Sequence, residues 1–320
     1  MSAKNTIIGL GMAALGRPEY INVNSAATEN KSEETFKQNA FKVLDEAYRR
    51  GILYFDTAPS YGKGEAFLTE WNNSRNNKDV FFGTKWGYTY VANWILGYEG
   101  KHEIKEHSLA KLEEQWEISK VLLPKLTYYQ IHSATLESGV LSNIEVLEKL
   151  AEIKQNYGVK IGLTTSGTQQ QTVIEEALKI KINNTELFDS FQVTYNILEQ
   201  STHAVLEDVK TANKTIIVKE ALANGRVFRN KNYPEYQPLY TTLEQLATKY
   251  NVGIDAVALR FCMDNLQPNI VLSGASTIFH LEENLKANTF SLSEEELQSL
   301  KTYQIKSAKY WDERSQLAWH

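Results

Sequence analysis

Short apolar runs alternate with amphipathic stretches along almost the whole chain. The runs at 6–10, 52–57, 79–85, 127–132, 159–165, 188–196, 214–220 and 268–273 are rich in β-branched and aromatic residues and read as buried strands. Between them, apolar positions recur at helical spacing. Phe36, Ala40, Val43, Leu44 and Ala47 mark a helix over 33–50, and Leu109, Leu112 and Trp116 mark one over 103–120. The same pattern predicts helices over 65–72, 140–156, 169–179, 203–212, 242–250, 279–287 and 292–300. Strands that each lead into a helix require a mostly parallel sheet with right-handed crossovers. Eight such units fit a closed (β/α)8 TIM barrel better than an open doubly wound sheet. No Pro- or Ser-rich linker divides the chain, so residues 1–320 are expected to form a single domain. Segments 11–32 and 86–102 are longer than a barrel needs and, with the C-terminal tail, are expected on its catalytic face.

Composition narrows the function classes. The chain has 320 residues and a formal charge of -5, from 34 basic and 39 acidic residues. No basic run is long enough to track phosphates, which argues against a nucleic-acid partner. No apolar run approaches the ~18 residues of a membrane helix. The segment starting at residue 6 is interrupted by glycines and reads as a strand entering a loop rather than a signal peptide. The single cysteine, Cys262, permits neither an internal disulfide nor a multi-cysteine zinc site. A cytoplasmic, monomeric protein without a metal is the expectation, with Cys262 in the core.

Two places invite a chemical reading. Gly9, Gly11 and Ala14 spell G-x-G-x-x-A after a strand, but Gly16, Arg17 and Pro18 follow where a dinucleotide-binding helix would have to open. The dinucleotide fingerprint is therefore rejected. In the barrel, Asp56, Lys85 and His132 fall at the ends of three consecutive strands, with Tyr61 in the loop beyond the first of them. A lysine there needs a carboxylate to offset its burial. A tyrosine ordinarily titrates near ~10, and an adjacent ammonium favours its phenolate. A histidine opposite can orient a carbonyl while the phenol supplies a proton.

The motif FDTAPSYGKGE (55–65), the strand ends GTK (83–85) and QIH (130–132), and GASTIFHLEEN (274–284) together resemble the aldo-keto reductases, in order and over nearly the whole chain. The resemblance implies a barrel that uses NADPH or NADH without a Rossmann domain. It implies Tyr61 as general acid/base, Lys85 and Asp56 as its tuning pair, and His132 as the group that orients the carbonyl. It also implies Ser166 and Gln192 at the nicotinamide amide, and Lys219, Leu222 and Gly225 along the ring and pyrophosphate. Ser273, Gly274, Ala275, Ser276, Thr277, His280, Glu283 and Asn284 are implied at the adenosine end.

This chain departs from the pattern at informative places. Lys219 stands where many members carry a planar ring-stacking group. Gly274, Ala275 and His280 stand where many NADPH-selective members carry a Lys-Ser pair and an Arg. The expected preference for NADP(H) over NAD(H) therefore rests on backbone amides, Ser276 and His280. Tyr20, Trp86, Tyr88 and Trp94 are candidate pocket walls, and an aromatic pocket with few charges suits a neutral aldehyde, ketone or sugar. Two rival readings are a non-catalytic NADP-binding regulatory subunit of the same fold and a barrel glycosidase. The glycosidase needs a second carboxylate at a strand end, and only Asp56 fits.

Overall fold

A computed structural model describes residues 6–19 and 32–318. The predicted apolar runs are its strands: Ile7–Gly11 (β1), Tyr54–Asp56 (β2), Phe81–Trp86 (β3), Leu126–Ala134 (β4), Lys160–Thr165 (β5), Ser190–Thr194 (β6), Thr215–Lys219 (β7) and Ile270–Ser273 (β8). Each pairs in parallel with its sequence neighbours, and β1 pairs with both β2 (Gly11↔Asp56) and β8 (Ile7↔Ile270). That double pairing closes the barrel. Side chains two apart on a strand share a face. Tyr54 and Ile217 accordingly join Tyr128 and Ile270 in a small cluster inside the barrel, apart from the larger core packed under the helices. Asp56, two residues beyond Tyr54, points inward above that plug.

Eleven helices cover the described part of the barrel: α1 (Glu33–Arg49), α2 (Gly64–Arg75), α3 (Leu109–Ser119), α4 (Ile144–Tyr157), α5 (Gln170–Ala177), α6 (His203–Thr211), α7 (Gln237–Tyr250), α8 (Ile254–Leu266), α9 (Ile278–Leu285), α10 (Glu294–Lys301) and α11 (Ser307–Ser315). The predicted helix over 103–120 needs correcting at its start. Glu103–Lys105 is a strand, antiparallel to Tyr88–Tyr90, and this hairpin stands above β3. Helix α3 begins only where the Ser108 side chain accepts from the Lys111 N–H and caps it. Helix α7 begins before the predicted residue 242, because Pro238 sits in its first turn, where no N–H is needed. The stretch around Cys262 is the helix α8, with Ala256, Leu259, Phe261 and Cys262 all buried. The tail likewise ends in α11. Part of the length assigned to loops is thus helix.

Candidate functional site

The carboxyl ends of the strands bring the candidate residues together. Asp56 closes β2, and its carboxylate forms an ion pair with Lys85 of β3, both side chains being at most 2% exposed. Lys85 also donates to the Thr57 carbonyl at 2.9 Å. The other carboxylate oxygen of Asp56 accepts from the Tyr54 hydroxyl at 3.1 Å and from the Gln192 amide at 2.9 Å. A buried charge needs such partners, because an unpaired carboxylate here would cost several kcal/mol. Gly83 makes room for this network, since a Cβ there would lie 2.1 Å from the Tyr54 hydroxyl.

Tyr61 lies in the loop between β2 and α2. The Lys85 ammonium stands 4.8 Å from its ring centroid, and the His132 ring meets it edge-on at 5.7 Å. The loop after β1 presses on this turn, and the Lys63 N–H donates to the Gly16 carbonyl at 2.7 Å. Burial, and then the Asp56 carboxylate, push the Tyr61 phenol well above its ordinary value. Low dielectric and the nearby anion thus act against the phenolate that the Lys85 ammonium favours.

His132 lies within β4, where Ser60 Oγ faces its Nδ1 at 3.4 Å. Burial and the Lys85 charge push it well below the usual histidine range, so the ring is neutral. The Ser60 hydroxyl can donate to Nδ1 or accept from it, and donation leaves the ring proton on Nε2. Tyr88 of the hairpin packs on His132 at 4.8 Å between centroids. Behind them, His107 Nε2 donates to the His132 carbonyl at 3.0 Å, and burial lowers His107 to about 4.

Lys219 ends β7 with its ammonium on Thr194 Oγ1 at 2.6 Å, and burial lowers it to about 8. Glu220 follows and pairs with Arg314 of α11. Ser166 is partly exposed at the end of β5, as are Leu222 and Gly225 in the turn after β7. Ser273 closes β8, Thr277 caps α9, and its side chain accepts from the His280 N–H at 3.1 Å. Gly274 is exposed with open space where a Cβ would stand, whereas Ala275 is buried and Ser276 and Glu283 are partly so. Asn284 is buried. In the orientation that satisfies both ends of its amide, it donates to Asp255 at 2.7 Å and accepts from Ser273 at 2.8 Å.

Gln192 donates an amide N–H to Asp56. Two candidate placements differ from expectation. Trp86 is fully buried against His107 and cannot wall a pocket. Trp94 packs edge-on against Phe36 of α1 and Phe67 of α2, anchoring its loop to the helical layer. Only Tyr88 of the proposed aromatic walls reaches the tetrad, and Tyr20 lies outside the described residues. The sequence reading missed Arg17, Glu103, Glu220 and Arg314, which ring the site in ion pairs. Among the described residues no His, Cys, Asp and Glu group could hold a metal ion, and no helix is long and apolar enough to cross a membrane.

Known proteins match this arrangement along its length. The chain is 24% identical over 290 residues to the uncharacterized oxidoreductase YqkF of Bacillus subtilis, covering 84% of this chain and 89% of the relative. It is 25% identical over 269 residues to L-galactose dehydrogenase of Arabidopsis thaliana, covering 79% of each. The holo form of aldo-keto reductase AKR11C1 from Bacillus halodurans superposes with a TM-score of 0.70 at 24% identity, over 93% of this chain and 92% of that one. The model of the aldo/keto reductase family matches residues 8–305, and the chain belongs to that family.

Proposed function

We propose that the protein is an NAD(P)-dependent oxidoreductase that exchanges hydride between a nicotinamide cofactor and the carbonyl or alcohol carbon of an aldehyde, ketone or sugar. The observation that carries this reading is the buried Lys85–Asp56 pair set against Tyr61 and His132 at one end of the barrel. Tyr61 is the proton donor. Held above its ordinary value, its phenol stays protonated at neutral pH and is ready to deliver a proton to a carbonyl oxygen. Neutral His132 presents its Nε2–H to the same oxygen and orients it. Lys85 faces the phenol ring and stabilises the phenolate left after transfer, while Asp56 offsets the burial of Lys85.

The residues present fit a nicotinamide dinucleotide. Open space over Gly274 and the capped start of α9 offer backbone N–H groups to phosphate, with Ser276, Thr277 and His280 alongside. Ser166, Lys219, Leu222 and Gly225 would line the nicotinamide half, and Gln192 would meet the amide through its Oε1 while its Nε2 stays on Asp56. The cofactor, when bound, supplies the hydride. No arginine or lysine stands among 274–280, so the preference for NADP(H) over NAD(H) is small. The test is Tyr61→Phe. Cofactor titration is expected to be unchanged while reduction of an aldehyde and sugar panel falls by about 10²-fold or more. Unchanged turnover would refute the assignment, and tighter binding of NADH than NADPH would reverse the cofactor preference.

A further inference from the structure

The loop after β1 delivers a charged residue into the site that neither the motifs nor the barrel pattern requires. Arg17 is 2% exposed, and a buried guanidinium is costly unless it is paired. Its Nη1 donates to Glu103 at 2.7 Å and to the Ser60 carbonyl at 3.1 Å. Those contacts tie three segments together: the β1 loop, the turn that carries Tyr61, and the hairpin whose Tyr88 packs on His132. They also fix the guanidinium 5.2 Å from the Tyr61 ring centroid, so the ring has two cations against it, Arg17 and Lys85.

We propose that Arg17 is a positioning residue for proton transfer, a permanent cation that Glu103 holds against Tyr61 to make its hydroxyl proton easier to release. The inference rests on the reading of Tyr61 as the proton donor. Charges face Tyr61 from every neighbouring element. Asp56 comes from β2, Lys85 from β3, neutral His132 from β4, Glu220 from the end of β7, and Glu103 from the hairpin. The buried hydroxyl of Tyr54 and the ammonium of Lys219 lie next in the same network. Asp56, Glu103 and Glu220 all resist phenolate formation, and Arg17 opposes them. An arginine suits this role because it keeps its charge across the working pH range, whereas Lys219 is already lowered to about 8.

The two members of the ion pair should act on Tyr61 with opposite sign, and this separates tuning from a merely structural role. In the full-length chain, 3,5-difluorotyrosine at position 61 gives a phenol acidic enough to titrate within reach, read by its own ¹⁹F resonance. Arg17→Gln is expected to raise the midpoint by about 0.5 to 1 pH unit, Glu103→Gln to lower it, and Arg17→Lys to restore most of the shift. In the chain with ordinary tyrosine, the pH profile of alcohol oxidation should move upward with Arg17→Gln. The neutral-pH rate should fall about threefold to tenfold with cofactor affinity unchanged. Midpoints that do not move, or that move together in both variants, overturn the inference. If Tyr61→Phe leaves turnover intact, the proposed function fails instead, and the ¹⁹F midpoints still decide what Arg17 does to Tyr61.

Discussion

Arg314 of α11 grips Glu220 through both carboxylate oxygens, at 2.6 Å from Nη2 to Oε1 and 3.1 Å from Nε to Oε2. Glu220 itself sits in the left-handed region at φ 57°, an unfavourable setting for a residue with a side chain. The C-terminal helix thus holds this carboxylate next to Lys219, the last residue of β7. Arg226 repeats the device deeper down, pairing with Glu313 and lying 4.0 Å over the Tyr310 ring.

A pH dependence follows from the first pair. Arg314 and Lys219 outweigh the burial of Glu220 and lower it from 4.5 to about 2. A depressed carboxylate contributes stability that is complete above its unfolded value and is lost as pH falls through the folded one. The window is therefore about 4.5 down to about 2. Arg314→Leu should remove on the order of 3 kcal/mol at neutral pH and flatten the acid limb of stability. Urea unfolding at pH 7 and pH 3 checks both. Equal losses at the two pH values would contradict the pairing.

The Lys85–Asp56 pair makes a different prediction, because both ions are out of water. Lys85→Met leaves the Asp56 carboxylate with only the neutral donors Tyr54 and Gln192. It should cost about 3–5 kcal/mol, as removal of one buried partner does. The double variant Lys85→Met with Asp56→Leu should cost less than the sum of the two single changes, by 1 kcal/mol or more in a denaturation cycle (order of magnitude ~1–3). Strict additivity would mean that the two groups do not interact.

How far the sequence could be read depended on whether a residue's role is local. Asp56, Lys85 and His132 were legible because a strand end fixes where each side chain goes, and the closed barrel brings those ends together. Tyr61 was legible through the motif around it. Arg17 and Glu103 were not, because their pairing joins the β1 loop to a hairpin strand 86 residues away, which no local spacing reports. The hairpin was missed because Leu109, Leu112 and Trp116 fix only the face of the helix, and the Ser108 cap decides where it opens. Trp86 was misplaced because an aromatic residue just beyond Lys85 can face the pocket or the outer layer. The register of β3 with β4, Trp86↔Ile131, sends it outward.

His107 supports the site from behind, and its protonation should be felt there. A histidine lowered to about 4 binds fewer protons folded than unfolded between that value and 6.5. Its contribution to stability is full above 6.5 and lost as pH falls toward 4. Between pH 7 and 5 this amounts to about 2 kcal/mol, to which His132 adds in the same direction. His107→Gln should reduce the pH dependence of urea unfolding over that range. If the slope stays as steep as in the parent protein, His107 is not the neutral, buried group described above.

Gly16 is the point at which the β1 loop touches the Tyr61 turn, and it tests whether that contact sets the position of the phenol. A Cβ at residue 16 would stand 2.2 Å from the Tyr61 carbonyl oxygen and 2.7 Å from the Gly64 backbone. Backbone atoms cannot rotate away as a side-chain tip can, so the two loops must part. Gly16→Ala should therefore cost about 1–3 kcal/mol of stability. By shifting Tyr61 relative to His132 it should also lower turnover by about 10²-fold, with cofactor affinity retained because the β8–α9 segment proposed to hold the cofactor is untouched. Gly11→Ala is the control, since its Cβ would meet only the Ser273 carbonyl at an ordinary 3.5 Å. It should change stability by less than about 1 kcal/mol. Equal effects from the two substitutions would show that close approach at Gly16 does not position Tyr61.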